Sequence, residues 1–296
     1  MRLAAVRSES GPRIGVVSDD LERIVVLDPA LGTVDDVVRG GRPALEEVRA
    51  AAAAAGSSVA IGEVELDAPL RRFNRDVLCT GWNYLDHFYE SQGKREGQDP
   101  VAMPDHPAFF TKGPDTVVGP MDDIAFDEDL SSKWDYEAEL ALVIGTEGRS
   151  IPEADALDHV FGYFVANDVS QRDLQRAHGG QWLKGKSIDQ TMPIGPWITT
   201  ADEIGDVADL VIECRVNDVL VQHATVGQMA FTIARVIAEL SRGMTLRPGD
   251  VVLTGTPSGI GNAREPQVFL QDGDRVVTGI STLGTLVNTV RRTALV

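Results

Sequence analysis

From residue 77 onward Gly, Pro and Asp cut the chain into short apolar runs, and that spacing restricts it to a sheet-rich fold. The runs cover residues 77–79, 108–110, 140–144, 161–166, 210–216, 251–253, 275–277 and 285–290. No regular helices alternate with them, so they predict a mostly antiparallel or mixed β domain rather than repeated βαβ units. One amphipathic helix interrupts the series, at about residues 226–242. Met229, Ile233, Val236, Ile237 and Leu240 share one side of it, and Gly243 is its stop. Residues 1–70 read as a small α+β unit. Short strands at 3–6, 13–17, 24–27 and 64–66 accompany an Ala-rich helix running from near Pro43 to Gly56. Ala68-Pro69 marks the junction with a catalytic domain over 71–296. The class is α+β.

The 296 residues, 43% of them hydrophobic, can bury a large core. No apolar run approaches 18 residues, and no charged-then-apolar leader follows Met1, so the expectation is a soluble, unexported, cytoplasmic protein. Cys79 and Cys214 sit in apolar, strand-like surroundings. Cys214 shares a face with Leu210, Ile212 and Val216 and reads as a core thiol. The formal net charge of −18 repels phosphate backbones and anionic lipid, which excludes nucleic-acid and membrane partners. An anionic substrate would then need a metal ion and a few cationic side chains to reverse the field locally.

The chemistry-bearing residues start at Trp134-Asp135-Tyr136-Glu137-Ala138-Glu139-Leu140. Strand side chains alternate, so Glu137 and Glu139 project from one face. Two like charges on a partly buried face repel each other unless a cation lies between them. A second strand ends in Asn167-Asp168, adding a third carboxylate. With no His or Cys nearby, such a set suits a hard cation, Mg²⁺ or Mn²⁺. The alternative is a solvent-facing strand edge that carries two glutamates. His87 and Glu90, at i and i+3, can meet on a helical turn, either as a surface ion pair or as a base with its orienting carboxylate. The polar stretch 91–107 carries Gly93, Gly97, Pro100, Pro104 and Pro107 and predicts a long loop, part of a lid over about 83–107. Arg172 and Gln175 share a helical face with Asp168, as a solvated face or as a carboxylate clamp beside the metal.

Two further motifs are ambiguous. Residues 180–187 match the phosphate-loop pattern G-x-x-x-x-G-K-S, which would make a nucleotide-binding protein with Lys186 on the phosphates. That mechanism needs a strand before the loop and a helix after it. Residues 172–178 look helical instead, and Pro193 and Pro196 interrupt the segment on the loop's C-terminal side. Thr254-Gly255-Thr256-Pro257-Ser258-Gly259 is a strand ending in a Gly-rich turn, or a ligand contact through its backbone.

These segments together resemble the fumarylacetoacetate hydrolase family. The resemblance rests on 135–140, on Asn167-Asp168 with 172–175, on Gly185-Lys186-Ser187 and on Thr254-Gly255-Thr256-Pro257. Asn83-Tyr84-x-x-His87-x-x-Glu90, residues 244–250 and residues 284–288 extend it over about 75–292. It implies a mixed, largely antiparallel β-roll in a homodimer, with one Mg²⁺ or Mn²⁺ per subunit on Glu137, Glu139 and Asp168. It assigns His87 and Glu90 to a lid-borne catalytic dyad and Lys186 to stabilising a developing enolate. Tyr84, Arg172, Gln175 and Thr256 become contacts for a small anionic keto acid. The implied reaction is hydrolysis of a carbon–carbon bond in a 2,4-diketo acid. Decarboxylation of a 2-keto diacid such as oxaloacetate, or isomerisation of a 2-hydroxydienoate, are alternatives on the same site. The chain departs from the family pattern twice. Asn83 replaces a carboxylate found in the longer members, and Lys112-Gly113-Pro114-Asp115 carries Asp where Ser is usual.

Overall fold

The structure, a computed structural model, describes residues 1–92 and 100–295. Strands β1 (Arg2–Val6), β2 (Arg13–Val17) and β3 (Arg23–Val26) lead into helix α1 (Val34–Ala54). Next come β4 (Val77–Gly81), the short helix α2 (Leu85–Glu90) and β5 (Ala108–Lys112). The centre of the chain supplies β6 (Ala138–Ile144), β7 (Val160–Asn167), α3 (Arg172–Ala177) and β8 (Met192–Thr200). The remainder forms β9 (Val211–Val216), β10 (Val219–Thr225), α4 (Ile233–Ser241), β11 (Val251–Leu253), β12 (Arg275–Ile280) and β13 (Gly284–Arg292).

Among the described residues the long sheet runs β3-β2-β1-β8-β7-β6-β11-β4-β5, and the shorter one β10-β9-β12-β13. Pairing is antiparallel except between β11 and β4 and between β8 and Val117–Val118 in the first, and between β13 and Ile124–Phe126 in the second. Strand β6 shows why the sheets stack. It reads Ala-Glu-Leu-Ala-Leu-Val-Ile and is buried throughout. Leu140, Leu142 and Ile144 face a core shared with Ile212, Val276 and Leu286 of the shorter sheet and with Val236 and Ile237 of α4. Ala141 and Val143 face the other core, with Phe164, Leu253, and Val37 and Val38 of α1. Both faces of the long sheet are covered, so neither strand face at its centre meets water.

Several boundaries differ from the sequence expectation, each for a local reason. Helix α4 starts at Ile233 because Thr232 caps it, its hydroxyl accepting from the Arg235 N–H at 3.1 Å, while residues 226–228 form a separate turn. Helix α1 begins well before Pro43. Thr33 and Asp36 form a capping box, and Gly41, at φ 61°, breaks the helix just ahead of the proline. Two strands were hidden. β8 contains Pro193 and Pro196, which argue against a central strand, yet it is buried along its whole length. Its pairing with β7 shifts register between Tyr163 and Val165, so the ladder is irregular where Pro196 lies. β10 comes after a two-residue turn at Asn217 and Asp218, both at positive φ.

The N-terminal strands do not stand apart in hydrogen bonding. Arg2 and Leu3 of β1 pair with Thr199 and Ile198 of β8, so one sheet continues across the 70/71 division. Within the expected lid, α2 and residues 100–107 are described, and residues 93–99 lie outside the described residues. No helix among the described residues is long and apolar enough to cross a membrane.

Candidate functional site

Strand parity brings the three carboxylates together. Ala138 pairs with Asn167 and Glu139 with Ala166, and the Asp168 N–H donates to the Glu137 carbonyl at 2.8 Å. Glu137 lies just before β6, and Glu137 and Glu139 have the parity of Ala141 and Val143. Asp168 likewise continues the parity of Phe164 and Ala166. The three side chains leave one face at the end of one strand pair, and a carboxylate oxygen from each lies within 4.8 Å of the others. They are 4%, 1% and 0% exposed, which removes the wet strand edge as an explanation.

Buried cations answer only part of this charge. Lys186 Nζ sits 2.6 Å from Glu137 Oε2 and 2.8 Å from Asp168 Oδ2. Arg172 pairs through Nε with Asp135 Oδ2 at 2.8 Å and through Nη2 with Glu137 Oε1 at 2.6 Å. Lys112, fully buried, lies 3.0 Å from Asp168 Oδ1 and donates to the backbone carbonyls of Val169 and Lys186. Among the described residues, three cations thus face four buried carboxylates, and Glu139 is the one without a cation in contact. Its partner is the Gly255 N–H, at 2.6 Å from Oε2.

The titration behaviour follows the same geography. Burial, then the charges of Asp168 and Glu137, push the Glu139 carboxyl well above the usual carboxylate range. Burial acts upward on Glu137 too, but Lys186 and Arg172 outweigh it and hold that carboxyl at about 2. For Lys186 burial acts downward, and Asp168 and Glu137 overcome it, so the ammonium is held charged. At Lys112 burial prevails over Asp168 and lowers the ammonium. A buried all-oxygen trio short of positive charge is what a hard divalent cation requires, so the donors present fit Mg²⁺ or Mn²⁺.

Around this cluster lies a cavity lined by Thr80, Trp82, His87, Phe110, Trp182 and Thr256, with Arg172, Gln175 and Lys186. His87 Nδ1 meets Glu90 Oε1 at 2.8 Å, and Glu90 Oε2 accepts from the Gly259 N–H at 2.7 Å. The dyad helix is therefore tied to the 254–259 turn. Thr256 is held in place, its hydroxyl donating to the Ala138 carbonyl at 2.9 Å and accepting from Gln222 Nε2 at 2.8 Å. Trp82, Trp182 and Phe110 make an aromatic wall, with centroids 4.8 Å and 5.1 Å apart, and Lys186 Nζ lies 5.0 Å from the Phe110 ring.

Nine of the ten expected site residues converge here, with Glu90 behind His87. Tyr84 does not line this cavity. It is buried beside it and lines a neighbouring one with Leu85, Asp86, His223, Gln228 and Ser258. Arg172 is engaged by Asp135 and Glu137 and so is not a free clamp. Asn83 acts as a clip, its Nδ2 donating to the carbonyls of Phe231 and Thr254 and its Oδ1 accepting from the Phe231 N–H. Asp115 is exposed, so that departure from the family pattern lies away from the carboxylates. The phosphate-loop context is reversed: α3 precedes residues 180–187 and β8 comes after them. Lys112 and the aromatic wall carried no expected role. Lys112 had a visible signal, as the lysine of the Lys112–Asp115 family segment, whereas the wall draws on three separate segments.

The chain is similar to known proteins over most of its length. A model of the fumarylacetoacetate (FAA) hydrolase C-terminal family matches residues 76–291. The mitochondrial oxaloacetate tautomerase fahd2 of Xenopus laevis is 41% identical over 297 residues, covering 98% of this chain and 90% of its own. A fumarylacetoacetate hydrolase from psychrophilic Exiguobacterium antarcticum superposes with a TM-score of 0.83 at 36% identity, over 99% of this chain and 100% of that one. Maleylpyruvate hydrolase from Sphingobium sp. SYK-6, solved with manganese(II) and pyruvate, gives a TM-score of 0.78 at 30% identity over 99% of each chain.

Proposed function

The chain belongs to the fumarylacetoacetate hydrolase family, and from that premise we propose that it moves a proton at the carbon beside the keto group of a 2-keto acid, as a keto–enol tautomerase or isomerase. The observation that carries this reading is the His87–Glu90 pair set beside a buried three-carboxylate cluster in one cavity. Glu137, Glu139 and Asp168 would hold Mg²⁺ or Mn²⁺. That ion, when bound, polarises the keto oxygen and fixes the acid end of the substrate.

The chain's own groups do the rest. A carboxylate only accepts, so Glu90 keeps the proton of His87 on Nδ1 and leaves Nε2 as the base. His87 takes the proton from carbon and returns it to carbon or oxygen. Lys186 stays charged and offsets the negative charge that grows on the keto oxygen. Trp82, Trp182 and Phe110 exclude water from the face they cover.

A second reading is hydrolysis of a carbon–carbon bond in a 2,4-diketo acid, in which His87 would take its proton from water. The same dyad favours it, together with the likeness to a maleylpyruvate hydrolase. The two part on one experiment. With Mn²⁺ present, oxaloacetate and acylpyruvates are followed by proton NMR in D₂O for exchange at C3 and for cleavage products. The expected result is Mn²⁺-dependent exchange without cleavage, slowed about 10²–10⁴-fold in His87→Ala. Cleavage of an acylpyruvate to pyruvate and the matching carboxylic acid would favour hydrolysis, and exchange indifferent to both Mn²⁺ and His87 would sink both readings.

A further inference from the structure

Phe110 and Lys112 reach Lys186 from one strand. They are two residues apart on β5, so they leave the same face of it. Their partners on β4 are Cys79 and Val77, which lie in the same core as Ala141 and Val143. Lys112 Nζ holds the backbone of Lys186 by donating to its carbonyl, and the Gly113 N–H donates to Ser187 Oγ at 2.9 Å. Phe110 meets the other end of Lys186, whose ammonium lies over the ring at 5.0 Å from the centroid. One edge strand of the long sheet thus grips Lys186 at both ends.

The stem alone does not fix the ammonium. A lysine carries its charge on a flexible four-carbon chain with three N–H donors that rotate. Among the described residues, Glu137 Oε2 and Asp168 Oδ2 take two of those donors, and no hydrogen-bond acceptor takes the third. Lys186 is 2% exposed, so little water screens its charge from the ring. A wall that only excludes water could be any apolar side chain, whereas the π face of an aromatic ring attracts a cation. The ring is itself held, in edge-to-face contact with Trp182 at 5.1 Å. Trp182 in turn packs on Gly81, where a Cβ would come within 2.6 Å of the indole.

We propose that Phe110 is a positioning residue for Lys186: its π face holds the ammonium where Lys186 lines the cavity, so that an anionic ligand meets the charge already in place. This role rests on the 2-keto acid reading above and on the part given there to Lys186. It assigns the placing of that charge to an aromatic ring rather than to apolar bulk.

Oxalate, whose adjacent carboxylates copy the charge of an enolate, is titrated calorimetrically into the Mn²⁺-loaded protein. Phe110→Leu is expected to weaken oxalate about three- to thirtyfold, and Phe110→Tyr, which keeps the ring, to stay within about twofold of the wild type. Lys186→Met is expected to weaken it about tenfold or more. Adding Phe110→Leu to Lys186→Met should change the affinity by less than about twofold, because the ring then has no cation to place. Phe110→Met, unbranched at Cβ, repeats the test if Phe110→Leu folds poorly. Wild-type oxalate affinity in Phe110→Leu overturns the proposal. So does an equal loss from Phe110→Leu with and without Lys186, or the same loss in Phe110→Tyr, since the ring is then only a wall. Absence of oxalate binding in the wild type instead overturns the 2-keto acid reading, and wild-type affinity in Lys186→Met overturns the part given to Lys186.

Discussion

Glu139 is the least compensated residue of the site: buried, with no cation in contact among the described residues, and in the field of Asp168 and Glu137. Its Oε2 accepts one backbone N–H, which an amide oxygen can accept equally well. Glu139→Gln therefore removes a repulsive charge from the metal-free protein while deleting a ligand of the proposed cation. The metal-free variant is expected to melt at or above the temperature of the metal-free wild type. Mn²⁺ at about 100 times its wild-type Kd should add about 2.7 kcal/mol to the wild type and close to nothing to the variant. A thermal scan with and without Mn²⁺ checks both halves, and a full Mn²⁺-dependent rise in the variant would remove Glu139 from the ligand set. The residue scale also shows where spacing informs and where it does not. The period of two in the Glu137–Glu139 segment put both carboxylates on one face, and the structure keeps them there. That Lys112 supplies a third buried cation was signalled only by its place in the family segment and not by spacing, because its Nζ meets groups 57 and 74 residues away in the chain.

Elements were legible in proportion to how local their causes are. β6 and β7 follow from apolar runs bounded by turn residues, and α4 follows from its apolar stripe, shortened to the point where Thr232 caps it. β8 was not legible, since two prolines in nine residues argue against a central strand, and only its neighbours on both sides make it one. Its contact with β7 is close. A Cβ on Gly162 would lie 2.4 Å from the Thr199 carbonyl oxygen and 2.7 Å from Ile198 Cγ2. Gly162→Ala forces the two central strands apart and is expected to cost about 1–3 kcal/mol or more. Urea titration measures it, and an unchanged midpoint would show that the strands can give way there.

Across the whole molecule, the long sheet separates two cores, with Cys79 in one and Cys214 in the other. Burial pushes the Cys214 thiol up to about 12, and burial with the charges of Asp168 and Glu139 pushes Cys79 well above its ordinary value. The thiolate is what attacks a disulfide reagent, and a raised value means less thiolate at pH 8. Neither thiol is expected to react in the native protein, and both should become reactive in one step with guanidinium. Two separate steps would mean that the cores unfold independently.

What the sequence by itself determined is the class, the β-rich order of elements, the family, and a carboxylate trio with its His–Glu dyad. All of these are carried by residues close together in the chain or by motifs in sequence order. What only the tertiary structure decided is the setting of those groups. Closing one sheet over both cores buries the trio, reassigns Arg172 to Asp135 and Glu137, and moves Tyr84 to a neighbouring cavity. The physical reason is that charge balance and desolvation depend on distances in space, and spacing along the chain specifies those only within one strand or one helical turn.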